Sequence, residues 1–192
     1  RRPPRATPLY SSAASDVYMR QVMGSGSRRY EDRASRVGAW IAGAGYHLLT
    51  GGGAGVMDAV TEAFVSVSPR AGLALGILPA DVESSGACPP SGYPNPWVEL
   101  VIQTHLSERG RSGDGKFSRN HVNVLSSDVI IIFPGSSGTA SEARLAVLYE
   151  RPCVAYLVSD DQVPTLPASI PVESSFDAVM EFVQNVLKSK TC

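Results

Sequence analysis

Short apolar runs that end in glycine-bearing turns and lead into amphipathic segments recur along this chain, and no other feature narrows its fold as far. The sharpest instance is Val129-Ile130-Ile131-Ile132, which runs through "FPGSSGTASE" (residues 133–142) into Ala143-Arg144-Leu145-Ala146-Val147-Leu148. Four consecutive β-branched residues read as a strand buried on both faces, the condition a parallel sheet imposes. The same rhythm predicts strands at 17–23, 47–50, 73–78, 98–104, 128–133 and 153–157. It predicts helices at 30–44, 56–67 and 176–188, and one more through "KFSRNHVNVLSSD". Strands alternating with helices imply an α/β fold of three layers: a mostly parallel sheet of about six or seven strands with helices on both faces.

A chain of 192 residues suits one core rather than two. Residues 1–16, polar and proline-containing, are expected to form a flexible N-terminal tail, and residues 17–192 a single domain. The net charge of −1 gives no general field for nucleic acid or an anionic membrane, so neither is expected as a partner. No apolar stretch approaches the ~20 residues of a membrane span. Cys88, Cys153 and Cys192 form no Cys-x-x-Cys pair and read as free thiols of a reducing compartment. A cytoplasmic location is the expectation, with organellar import of a longer precursor left open by the arginine- and serine-bearing N-terminus. His47, His105 and His121 lack metal-ligand spacing, so no metal site is expected.

In an open α/β sheet, ligands settle beyond the carboxyl ends of the strands. Three glycine turns converge there: Gly24 to Ser27, Gly51 to Gly55, and Pro134 to Thr139. Each joins a strand to a helix and can aim backbone N–H groups at an anion. None matches a dinucleotide or P-loop fingerprint, since Gly24-x-Gly26 lacks its third glycine and no Gly-Lys-Ser/Thr occurs. Glu142 has two readings. With Thr139 as N-cap, Thr139-x-x-Glu142 is a capping box; otherwise the carboxylate is available to stabilise a developing cation or orient water. Arg119, at the start of a helix after a glycine-rich loop, is either a solvated helix residue or an anion ligand. Two loop-rich stretches, 79–97 and 105–117, are long enough to act as lids.

"TGGGAGVMDAV" and "SRNHVNVLSSDVIIIFPGSSGTASE", in this strand–helix order, resemble the Rossmann-like LOG family of cytokinin riboside 5'-monophosphate phosphoribohydrolases, long labelled lysine decarboxylase-like. The resemblance implies that Arg119, fifteen positions before Pro134, and Glu142 act on an N-glycosidic bond. It implies that a phosphate rests on Gly52, Gly53, Gly135, Ser136, Ser137, Gly138 and Thr139; the converging turns add Gly24 and Ser25 to the expected site. The ligand is then a nucleoside 5'-monophosphate, no cofactor is required, and the protein is a homodimer or homotetramer. Trp40, Tyr46 and Tyr149 are candidates for its interface or for the core.

Ser136, Ser141 and Asn120 depart from the plant-type pattern, which has glycine, acid and lysine there. Arg-Asn-x-x-Asn-x-Leu-Ser-Ser instead looks like a sister branch containing the algal molybdenum cofactor carrier proteins, so carriage or sensing of a phosphorylated ligand such as a pterin phosphate is the alternative. Decarboxylase chemistry is not expected, because pyridoxal phosphate needs a core lysine and Lys116 is the only one away from the C-terminal end.

Overall fold

The computed structural model describes residues 18–81, 88–158 and 161–190. The expected tail at 1–16, part of the 79–97 stretch and Cys192 lie outside them. Seven strands form one sheet: β1 (Met19–Met23), β2 (His47–Thr50), β3 (Ala74–Leu78), β4 (Leu100–Gln103), β5 (Val129–Ile132), β6 (Cys153–Tyr156) and β7 (Val172–Glu173). Their order is β4-β3-β2-β1-β5-β6-β7 and every neighbouring pair is parallel. The helices are α1 (Glu31–Gly43), α2 (Val56–Val65), α3 (Asn120–Leu125), α4 (Ser137–Leu148) and α5 (Phe176–Lys190). This is the α/β Rossmann-like architecture read from the sequence.

Alternation along β5 explains why its four residues are all apolar. Val129 and Ile131 pack under α1, α2 and α5 with Val37, Ile41, Val60, Phe64 and Val183, whereas Ile130 and Ile132 pack under α3 and α4 with Val124, Ala143 and Ala146. Successive side chains of a strand face opposite layers, so a central strand has no solvent-exposed face. Each such fully buried side chain contributes roughly 1.5–3 kcal/mol. Trp40 and Tyr46, candidates for an interface or the core, pack against the first of these clusters.

Three local readings change. The strand β7 was not anticipated: two residues after Pro171 carry too little pattern, and only pairing with β6 defines it. α4 begins at Ser137, with Ser136 as N-cap, three residues earlier than a Thr139 cap requires. Thr139 is therefore inside the helix, no side chain caps the end, and the capping-box reading of Glu142 fails. Finally, the 105–117 segment contains a 3-10 turn at Gly110–Ser112 and is fastened to its surroundings. Ser141 Oγ donates to Gly110 O at 3.0 Å, Arg144 pairs with Asp114, and His121 Nε2 lies 2.8 Å from Gly115 O. Ser141, which departs from the acid of the LOG-like pattern, thus ties the wall of the site to α4.

Candidate functional site

The chain runs outward from β1 toward β4 on one side and from β5 toward β7 on the other, so the β1 and β5 loops diverge at the centre of the sheet. Such a switch point is where α/β folds open a crevice. Two adjoining cavities lie there. The outer one, about 480 Å³, is bounded by the β1 loop, Arg28, Gly135, Ser136, Asp161 and Gln162. The inner one, about 150 Å³, is bounded by Gly24, Tyr93, Arg109, Arg119, Thr139 and Glu142 among others. Gly26 and Ser136 border both.

The three glycine turns are not equivalent once their donors are traced. In the first, Ser25 N donates to Pro134 O, while Ser27 N and Arg28 N donate to Ser25 Oγ. In the second, Gly52 N donates to Thr50 Oγ1, and although α2 also lacks a side-chain cap, its first N–H, that of Val56, donates to Ser25 O at 2.9 Å and the β1 loop packs against Gly55. In the third, Gly135 N donates to Gln162 O, but α4 starts without a side-chain cap, which leaves its first-turn N–H groups at Ser137, Gly138 and Thr139 without an intrahelical acceptor. The open N–H groups and the helix dipole favour an anion at this end.

Arg119 lies beside it, 7% exposed, with Nε and Nη1 lacking any hydrogen-bond partner. Gly51 makes room for it: a Cβ there would sit 2.5 Å from both Nη atoms. A buried guanidinium without partners is costly, and an incoming anion would relieve that cost. Glu142 lines the same inner cavity, keeping some surface open to it while its carboxyl is held by the protein. Gln21 Nε2 donates to Glu142 Oε1 at 3.0 Å and Asn123 Nδ2 at 3.4 Å. Burial pushes this carboxyl above the usual carboxylate range, and the nearby charge of Arg119 and the two amides only partly oppose that. Yet no ion pair joins Arg119 to Glu142; the charged partners among the described residues are those of Arg29, Arg33, Arg70 and Arg144. The two face a common space instead of closing on each other.

Of the residues expected in the site, Gly24, Gly138, Thr139, Arg119 and Glu142 border the inner cavity, Ser25 and Gly135 the outer one, and Ser136 both. Ser137 lines neither, although it opens α4. Gly52 and Gly53 also line neither: Asn95 holds their carbonyls, and Cβ atoms there would strike Leu78 and Tyr93. Sequence reasoning missed Arg109 and Tyr93 of the inner wall, and Gln21 and Asn123 behind Glu142. Gln21 did leave a signal, as an amide in the middle of a strand too central to be exposed.

Gly135 tests the geometry. A Cβ there would overlap Thr139 Oγ1 and lie 2.7 Å from Thr139 Cβ, far inside van der Waals contact. Gly135→Ala is therefore expected to push Thr139 out of place, destabilising the fold by about 1–3 kcal/mol and weakening inorganic phosphate binding about tenfold. Thermal melting and calorimetric titration read the two effects, and a variant unchanged in both rules the arrangement out.

Comparison with known proteins follows the same line. The SLOG cluster4 family profile matches residues 18–180. Among solved structures, the molybdenum cofactor binding protein of Rippkaea orientalis is 25% identical, with a TM-score of 0.66 over 91% of this chain and 99% of its own. The Moco carrier protein of Chlamydomonas reinhardtii is 24% identical, with a TM-score of 0.64 over 90% and 98%. DNA processing protein A of Helicobacter pylori, described with a single-stranded DNA binding mode, shares the fold at 18% identity, with a TM-score of 0.62 over 90% and 81%. No curated protein matches the sequence.

Proposed function

From its membership of the SLOG cluster4 family, to which this chain belongs, we propose that the protein binds a nucleoside 5'-monophosphate and hydrolyses its N-glycosidic bond to free base and ribose 5-phosphate. The observation that carries this reading is the pairing of Glu142, a buried carboxyl freed from any capping role, with the unpartnered Arg119 beneath the open end of α4.

The phosphate rests on the N–H groups of Ser137, Gly138 and Thr139 and on the Arg119 guanidinium. Thr139 and Glu142 are three residues apart and so share one face of α4, which sets the carboxyl a turn below the phosphate. Departure of the base leaves an oxocarbenium-like sugar. Glu142 stabilises that charge or steers the water that adds to the anomeric carbon. Arg119 keeps the substrate in register. Arg109 and Tyr93 line the inner cavity, a cation for the phosphate and a ring for the base.

A second reading is carriage of a phosphorylated pterin on the same anion site. It is favoured by the likeness to the Rippkaea orientalis protein over nearly the whole chain and by Ser136 and Ser141. Incubation with AMP and other nucleoside 5'-monophosphates, with chromatography of released base, separates the two. Release of base supports the hydrolase; no release with retained phosphate-ligand binding sinks it in favour of the carrier.

We further infer a homo-oligomer, because edge strand β4 exposes Leu100, Val101 and Ile102 at 41–45%. An open apolar edge invites pairing with another copy. Sedimentation velocity is expected to show a dimer or tetramer that Val101→Lys shifts toward monomer; a monomeric wild type contradicts it.

A further inference from the structure

Behind Glu142 the protein interior is polar where a sheet core is normally apolar. Gln21, fully buried at the middle of β1, donates from Nε2 to Glu142 Oε1 at 3.0 Å. Its Oε1 faces Ser127 Oγ at 2.9 Å, and that hydroxyl also lies 2.7 Å from Asn123 O. Ser127 is 1% exposed and Asn123 fully buried, so solvent cannot complete these bonds. The hydroxyl has one proton and two acceptors within reach. That surplus makes the arrangement reversible.

We propose that Gln21 and Ser127 are positioning residues that hold Glu142 in either protonation state by turning over the Gln21 amide. This rests on the catalytic role assigned above to Glu142. With the carboxylate ionised, Gln21 Nε2 donates to it and Ser127 Oγ donates to Gln21 Oε1. When Glu142 takes up a proton from substrate or water, its O–H donates to Gln21 Oε1, now rotated to face it. The amide nitrogen then donates to Ser127 Oγ, whose proton turns to Asn123 O. No relay group gains or loses a proton, and the Gln21 amide and the Ser127 hydroxyl are hydrogen-bonded in both states, while Asn123 Oδ1 beside them has no partner. Asn123 Nδ2 donates to the carboxyl in both states. A buried acid that cycles between states otherwise leaves one of them with an unpaired neighbour.

The charges facing this carboxyl come from the elements around it. Arg119 at the start of α3 acts on it directly, and Arg109 and Tyr93 line the cavity in front. On α4 itself, Arg144 is paired with Asp114. β1 contributes only the neutral Gln21 at this point.

The test does not require turnover, so it is separable from failure of the hydrolase reading. In ¹³C- and ¹⁵N-labelled protein, the Glu142 carboxyl and the Gln21 side-chain amide signals are expected to shift with one common pH midpoint. In Glu142→Gln the Gln21 amide should become independent of pH. Gln21→Met removes a hydrogen bond from both states, the stronger one from the ion, and should raise the proton affinity of Glu142 about fivefold. If the protein turns over AMP, the pH profile of kcat should move by the same amount with KM little changed. Ser127→Ala should broaden or split the Gln21 amide signal, and Ser127→Thr should restore it. A Gln21 amide in the wild type that ignores the Glu142 titration overturns the proposal, whether or not the variants fold.

Discussion

Glu142→Gln is expected to lower kcat for base release by about a thousandfold, within the usual range for a lost acid–base group, while making the protein more stable at neutral pH. The activity loss follows from removing the one carboxyl that the described residues bring to the inner cavity. The stability gain follows from its raised proton affinity, which burial dominates even against the opposing Arg119 charge. Between the ordinary glutamate value of about 4.3 and the raised folded value, the native state holds more protons than the unfolded state. Stability therefore falls as pH rises through that window, and the full penalty is present above it. Glutamine has nearly the same shape, still accepts from Gln21 and Asn123, and carries no charge to desolvate. Melting curves of the two proteins should accordingly separate near pH 7 and converge below about pH 4. Each kcal/mol recovered raises Tm by about 2–4 °C in a chain of this length. A variant less stable than the parent at neutral pH means Glu142 is held for structure, and the desolvation cost assigned to its carboxyl is wrong.

The same residue shows what was legible in the sequence and what was not. Strand and helix positions followed from apolar runs and helical spacing, because core burial fixes both; β2 falls on residues 47–50 as read. Convergence of the turns followed from the parallel order. The start of α4 did not, since Ser136, Ser137 and Thr139 are all competent caps and only the path of the chain past Pro134 selects among them. A shift of three residues was enough to take Glu142 out of a capping box and turn it toward Gln21.

The glycine turns had a similar ambiguity. All three have the composition of an anion cradle, but whether an N–H is open depends on what else packs there. Ser25 O reaching into the start of α2 is a contact between segments thirty-one residues apart that no local pattern announces. Arg119 stood out by its distance from Pro134. Its room beneath Gly51 depends on the neighbouring β2 turn, and only the fold brings the two together.

Arg119→Ala is expected to weaken binding of inorganic phosphate and AMP about a hundredfold, the scale of losing a charge-assisted phosphate contact of roughly 3 kcal/mol. The side chain is buried and two of its nitrogens are unpartnered, so its removal deletes a desolvated charge and breaks no internal hydrogen bond of those atoms. Arg119→Lys keeps the charge but not the planar fork, and should recover only part of the affinity. Loss of the guanidinium also removes the positive charge that most opposes the rise of the Glu142 carboxyl, so its proton affinity should climb further. The two substitutions thus part the hydrolase from the carrier. For a hydrolase, Arg119→Ala and Glu142→Gln both abolish base release, but only the first loses affinity. For a carrier, Glu142→Gln leaves anion binding intact or tightens it by removing a like charge, and no variant changes a turnover that does not occur. Calorimetry of each variant with phosphate and AMP, beside the base-release assay, reads every arm. Unchanged phosphate affinity in Arg119→Ala would falsify the anion site at the start of α4 under either reading.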